Sequence, residues 1–395
     1  MKKIKILLVL TAIVLLSCTK SEDETPIIQD PNSNNSGTPN PYAGYDIYAS
    51  GKQGSGAVLW KNGKILYSDP VDYSFFRTGG FCIAGNDIYE GAEKNYRNLA
   101  GIDNLDYNRG GCVLKNGSIL FNDTGAYSSV RDVVVSGNDV YYLVSSSAIR
   151  ATSIDSSRPK LYKNGQVLYN LFALASNNNN GFKVFSLQIV NNNVYVGVQY
   201  GNGRTGYFKN GVYTQIIPPN NNEYRSSELL YVAPNEDVYL KLNVETRTGL
   251  SFPQIINNNF KIFKNGTELS GFQTSINKTY AYFMKVVGSD VYLIGYDDQK
   301  NAIWKNGIRT YLPEDNTINN GLRDEIYDLN VIDNKIFIAG KIQSVISGLN
   351  FSIPYPQVWE LTNTNTNIVA HEVEVSTKIY GSEYYQISKL FVLKK

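Results

Sequence analysis

Val133–Val144 reads VVVSGNDVYYLV, and Lys160–Tyr169, a little further on, reads KLYKNGQVLY. Each stretch has the pattern of a β-hairpin. In the first, β-branched and aromatic residues flank Gly137-Asn138-Asp139, residue types that tolerate the positive φ of a tight turn. In the second, Asn164-Gly165 separates two short apolar runs, the strongest short-range hairpin signal. Strand A is then Asp132–Ser136 and strand B Val140–Val144, while strand C ends at Tyr162-Lys163 and strand D is Gln166–Tyr169.

The unit recurs along the chain. Its KNG turn appears at Trp60–Gly63, Leu114–Gly117, Tyr162–Gly165, Phe208–Gly211, Phe263–Gly266 and Trp304–Gly307, so that Lys61, Lys115, Lys163, Lys209, Lys264 and Lys305 follow at intervals of 54, 48, 46, 55 and 41 residues. The first hairpin closes in turn on Asp87-Ile88-Tyr89, Asp139-Val140-Tyr141, Asn193-Val194-Tyr195, Asp237-Val238-Tyr239, Asp290-Val291-Tyr292 and Lys335-Ile336-Phe337. A period of this length built only of short strands predicts an all-β propeller of four-stranded antiparallel blades. The aromatic of strand B and the one before the KNG turn recur at fixed places, as blade-to-blade packing demands, and are assigned to the core.

The ends of the chain set the blade count. Tyr45–Tyr48 reads as a strand B with no strand A, and Tyr385–Leu393 (YQISKLFVL) is an apolar run left unpaired at the C-terminus. The last full unit has lost its KNG turn; Gln357–Glu360 and Asn367–Val373 stand in its place. Six whole blades plus one made from both termini give seven, with six or eight as alternatives. This closure is expected to leave no free edge.

Composition bounds the function. Lysine and arginine number 37 against 35 acids, which argues against a nucleic-acid binder. A basic Met1–Lys5 followed by the apolar run Ile6–Leu16 reads as a signal peptide, residues 1–17, too short to span a bilayer. Residues 18–43, rich in Asn, Ser, Pro and acids, read as a disordered tether, and 44–395 as the propeller. With Cys18 at the end of the leader, Cys82 and Cys112 remain: an even pair permits a disulfide, and buried thiols at apolar strand positions are the other reading. A zinc site is not expected around the single histidine, His371, nor is a Ser/His/Asp triad. Neither a metal nor a cofactor is called for.

Two resemblances add to this. Leu15-Leu16-Ser17-Cys18 resembles the lipobox of bacterial lipoproteins, which implies a lipid on Cys18, and Ser21-Glu22-Asp23-Glu24 is similar to the acidic signal that carries some Gram-negative lipoproteins to the cell surface. The KNG repeats, over residues 44–395, resemble a group of β-propeller lipoproteins and secreted proteins of Gram-negative bacteria. That resemblance implies architecture and an outer-membrane, surface-exposed location. It brings no catalytic residues with it.

Topology indicates where a site belongs. The A–B and C–D turns fall on one face and are tight. The B–C and D–A connections fall on the other, and the sequence reads as long loops there: Asp69–Gly80, Gly91–Gly111, Ser145–Pro159, Leu171–Gly181, Ile217–Ser227, Asn243–Asn259, Leu312–Leu322 and Lys341–Pro356. Loops that vary without disturbing a scaffold are where binding residues concentrate. A basic residue recurs near the start of strand A as Arg77, Arg131, Lys183, Arg225, Lys278 and Arg323; on unbulged strands these share one face and converge on an anionic ligand, or else form surface ion pairs. Phe76 and Tyr107 are the aromatic candidates beside them. The expected function is a monomeric, lipid-anchored, non-catalytic binding module for a glycan or for an envelope or extracellular protein. A polysaccharide-acting enzyme and an envelope assembly scaffold are the alternatives.

Overall fold

A computed structural model describes residues 44–53, 56–68, 80–96, 108–122, 128–146, 159–175, 182–218, 224–248, 254–272, 279–297, 300–312, 325–345, 352–362, 368–372 and 385–395. Blade one contains β1 (Tyr45–Gln53), β2 (Gly56–Lys61) and β3 (Lys64–Ser68). Blade two is β4 (Phe81–Ala84), β5 (Asp87–Tyr96), β6 (Asn108–Lys115) and β7 (Ser118–Asn122); blade three is β8 (Ser128–Ser136), β9 (Asp139–Ser146), β10 (Lys160–Lys163) and β11 (Gln166–Asn170). A short helix, α1 (Leu171–Leu174), capped by the Asn170 side chain, leads on to blade four, β12 (Phe182–Val190), β13 (Asn193–Tyr200), β14 (Thr205–Lys209) and β15 (Val212–Ile217). Blade five is β16 (Tyr224–Val232), β17 (Val238–Thr248), β18 (Gln254–Lys264) and β19 (Thr267–Glu268); blade six is β20 (Thr279–Val287), β21 (Asp290–Asp297), β22 (Lys300–Lys305) and β23 (Ile308–Tyr311). Blade seven is β24 (Glu325–Ile332), β25 (Lys335–Val345), β26 (Ser352–Thr362) and β27 (Ile368–Glu372), and β28 (Tyr385–Lys394) returns to blade one.

The sheets are seven antiparallel meanders arranged in a ring, and the order β28-β1-β2-β3 shows the C-terminal strand supplying strand A of the first blade. The seven-bladed propeller is therefore closed as expected. The A strands form the inner ring, each touching the A strand of the next blade, β28 against β4 included. One expectation needs correction. Closure removes the gap in the ring but not the edges: every blade keeps an inner A edge and an outer D edge. The outer edges are kept short, between two residues in β19 and six in β15, which limits pairing with another chain.

Turn chemistry explains why the hairpins form where they do. In the six KNG turns the Asn sits at φ of 48–50° and the Gly at 77–85°, the paired positive values of a type I′ turn. Among the A–B turns, Gly85, Gly137 and Gly288 carry positive φ (60–61°) at the first central position, as a II′ turn requires, whereas Asn191-Asn192 and Asp333-Asn334 use I′.

An apolar cluster fills each blade interface. Trp60 and Ile47 pack with Phe337, Ala339 and Val358 of blade seven; Tyr141 and Leu143 pack with Val196 and Phe208; Phe260 and Ile262 with Leu293 and Trp304. The recurring strand B aromatics Tyr48, Tyr89, Tyr141, Tyr195, Tyr239, Tyr292 and Phe337 are all buried, which places them in the core as read from the repeat. Burying one such side chain contributes roughly 1.5–3 kcal/mol.

Candidate functional site

The tight-turn face is consumed by the fold. In blade six the Asn306 side chain accepts from the Val291 N–H at 2.8 Å and donates to Asp290 at 2.7 Å, and Lys305 pairs with the same carboxylate at 3.0 Å while its Nζ lies 5.3 Å from the Tyr292 ring centroid. Blades one, two, three and five repeat this set of four residues around Asp46, Asp87, Asp139 and Asp237. In blade four Asn193 replaces the acid, and Lys209 reaches Glu236 of blade five at 2.6 Å instead. Hydrogen bonds from Lys264, Asn265 and Asn235 hold the Asp237 carboxyl at about 2. These groups are already satisfied by one another, so the face offers few open valences to a ligand.

The opposite face is built differently from its sequence reading. Three of the stretches taken for long loops begin and end as paired strand. β5 and β6 stay in register out to Tyr96 opposite Asn108 and β25 and β26 to Val345 opposite Ser352, while β17 and β18 pair out to Thr248 opposite Gln254 with one register shift after Thr246. In blade three pairing stops at Val144 opposite Lys160. At about 3.4 Å per residue the arms of blades two, five and seven stand roughly 10–20 Å further out than that of blade three. Backbone pairing stiffens them beyond what loop composition suggests.

Two clusters mark the same end of blades four and six. The Arg204 guanidinium stacks on Tyr200 at 3.9 Å and lies 5.3 Å from the Tyr213 ring, whose hydroxyl burial pushes up to about 12. Asp297, fully buried at the end of β21, accepts from Thr279 at 2.6 Å, from Tyr311 at 3.1 Å and from Arg309. Neither cluster was singled out in the sequence, because their members come from separate elements: β13, the turn after it and β15 in one, β20, β21 and β23 in the other.

Among the sequence candidates, Phe76, Arg77, Tyr107, Lys278 and Arg323 lie outside the described residues, as does Cys18. Arg131 is exposed and donates to Ser145 Oγ at 2.7 Å; Arg225 lies in β16 opposite Val244. The inner strands are not unbulged. The A–B pairing of six blades shifts register once, skipping Arg131, Phe185, Glu228, Tyr282, Tyr327 and Ser388. Arg131 is itself the extra residue, and Lys183 and Arg225 precede their bulges at opposite parity, so these three described members of the basic series do not share one face. Asp132 does not pair with Arg131 either; its acceptors are taken by backbone N–H groups. Cys82 on β4 and Cys112 on β6 are thiols separated by β5, too far apart to bond across two strand spacings of about 4.8 Å each, so the disulfide gives way to the thiol reading.

The bulge reshapes the central channel. Asp132 accepts from its own following N–H, Val133, at 3.0 Å and from Leu187 N–H of the next blade at 2.9 Å. Asp328 repeats this on Leu329 at 2.9 Å and on Leu390 of blade one at 2.8 Å. In blade four Ser186 donates to the Leu230 carbonyl, and Gln188 bridges Leu230 and Val232. Inner-strand groups with no ladder partner are thus capped from the preceding blade. Among the described residues no group of three or more His, Cys, Asp or Glu side chains is placed to hold a metal ion.

No family model matches the chain, and no curated protein matches it. Among solved structures it is similar to the computationally designed Ika8 protein, with 12% identity over 90% of this chain and 98% of that one and a TM-score of 0.43. It is similar also to oligopeptidase B from Leishmania major (9%, 84% and 49%, TM-score 0.41) and to Trypanosoma rangeli sialidase in complex with the inhibitor DANA (10%, 85% and 56%, TM-score 0.36). The chain spans about half the length of those two enzymes. At such identities the likenesses say nothing about what this chain binds or does.

Proposed function

We propose that this chain is a lipid-anchored, surface-exposed binding module of the outer membrane whose B–C face engages a glycan or a protein. The observation that carries the reading is the set of three paired hairpin arms standing out on that face in blades two, five and seven, while the tight-turn face is committed to its own hydrogen bonds. Rigid elements that project beyond a scaffold offer a pre-organised surface, which lowers the entropic cost of binding. A protein ligand fits the arms as clamps; a glycan fits the floor between them.

The test compares the parent chain with one in which residues 246–257 are replaced by Asn-Gly, joining the paired residues Glu245 and Asn258 by a two-residue turn. Both are taken through a glycan array and a pull-down from envelope extract, beside Arg77→Ala and Arg323→Ala. A ligand lost on shortening the arm, with the melting temperature unchanged, supports the face as the site. A ligand that binds all four chains equally sinks it.

A further inference from the structure

Among the described residues the aspartate cap on the inner-strand N–H is missing in blades five and six, and in blade six two lysines stand beside the gap. In blade six the residue at the position of Asp132 is Phe283, followed by Met284 and Lys285. Met284 is the counterpart of Leu187 and Leu390, whose N–H groups point away from strand B and are capped by an aspartate of the preceding blade. The preceding blade here offers Leu229, which has no acceptor. The Met284 N–H is left facing the channel without a side-chain cap among the described residues.

Lys285 lies two residues after Phe283 and so on the same face of β20, about 7 Å along the strand. Lys389, which holds in blade one the position of Phe283 in blade six, places its Nζ 5.8 Å from the centroid of the Phe283 ring. Both lysines are half-buried, and among the described residues neither ammonium has a hydrogen bond or an ion pair. Burial holds Lys285 below the usual lysine range, against the pull of Asp328. Asp328 and Asp132 are in electrostatic reach of Lys285 and Lys389 respectively, but both carboxylates are already spent on pairs of backbone N–H groups. A partly desolvated ammonium keeps three donors that need acceptors.

We propose that the central channel binds a small oxyanion, a phosphate or carboxylate head, held by Lys285, Lys389 and the Met284 N–H beside the Phe283 ring. Such a head supplies the acceptor oxygens that all three donors lack among the described residues, in charge-assisted hydrogen bonds. It takes on blade six the part that Asp132 and Asp328 play on their neighbours. The site lies on the inner strands and does not rest on the reading of the B–C face.

Equilibrium dialysis of the full-length chain at constant ionic strength tests this with radiolabelled inorganic phosphate and, separately, with glucuronate. Saturable uptake of either is expected, weakened roughly tenfold or more by Lys285→Met and by Lys389→Met. Preference for phosphate would identify a tetrahedral head, and preference for glucuronate the carboxylate of an acidic sugar. Trace acetylation of the parent chain, read by mass spectrometry, is expected to show both lysines shielded by the bound anion, a readout independent of whether either variant folds. No saturable uptake of either anion, or uptake that both folded variants retain in full, overturns the proposal.

Discussion

Asn306 combines a left-handed backbone at φ 50° with an acceptor for Val291 N–H and a donor to Asp290. Asn306→Ala strains the turn and leaves the Val291 N–H unmet, so a loss of about 2–4 kcal/mol is expected. Urea unfolding checks it: Asn306→Gly removes the strain but not the lost hydrogen bond and should fall between, whereas an alanine variant as stable as the parent would refute the account. Glu90, on β5, is 1% exposed and bonds through one oxygen to Ser50 of blade one at 2.5 Å, while its other oxygen has no partner. Burial, against the Ser50 hydrogen bond, pushes its carboxyl from 4.5 up to about 7. The folded state therefore holds a proton that the unfolded chain releases between these values. Stability falls as pH rises through that window, by on the order of 3 kcal/mol, and is flat for this group above it. Glu90→Gln should abolish that part of the slope and be the more stable form at pH 8. Asp132, raised by burial to about 6 against its two backbone hydrogen bonds and Lys389, leaves a smaller slope of the same sign. Unfolding midpoints at pH 5 and pH 8 decide the matter, and a variant with the parent's full pH dependence would rule it out.

At the scale of the element, β28 carries the closure. It pairs with β1 from Tyr45 opposite Lys394 to Gln53 opposite Tyr385, buries Ile387, Leu390 and Val392 against Phe337 and Trp60, and receives the Asp328 cap on Leu390. A chain ending at residue 384 keeps six intact blades but exposes the β1 edge and the apolar cluster between blades seven and one. It is expected to aggregate or to melt far below the parent, and adding a synthetic peptide of residues 385–395 should restore part of the loss. A truncated chain that melts with the parent would show that the closure does not stabilise the ring. The bulges belong to this scale too. Each frees inner-strand groups for the next blade, so losing one residue from a bulge realigns every side chain before it.

For the whole molecule, the proposed anchor makes one demand. Cys18→Ala should lose incorporation of labelled palmitate and move the chain from the detergent to the aqueous phase on phase partition; a variant that stays with the detergent would require another anchor. What the sequence alone determined is the repeat: KNG and GND turns, alternation and the orphan strand at Tyr385–Leu393 gave the four-stranded blade and the closing strand and favoured seven blades over six or eight, because turn type and strand alternation are properties of neighbouring residues; the sheet order settled the count at seven. Which face carries tight turns followed from the same order. The tertiary structure alone decided what the inner and outer surfaces offer. Asp132 meets Leu187 across 55 residues and Asp328 meets Leu390 across 62, and no local pattern announces either contact. Bulged residues, invisible in composition, set Arg131, Lys183 and Arg225 off one shared face by changing their parity. The paired arms of blades two, five and seven looked like loops because their Asn, Gly and charged residues are loop formers by type, whereas cross-strand pairing, which depends on register with a partner, holds them as strands.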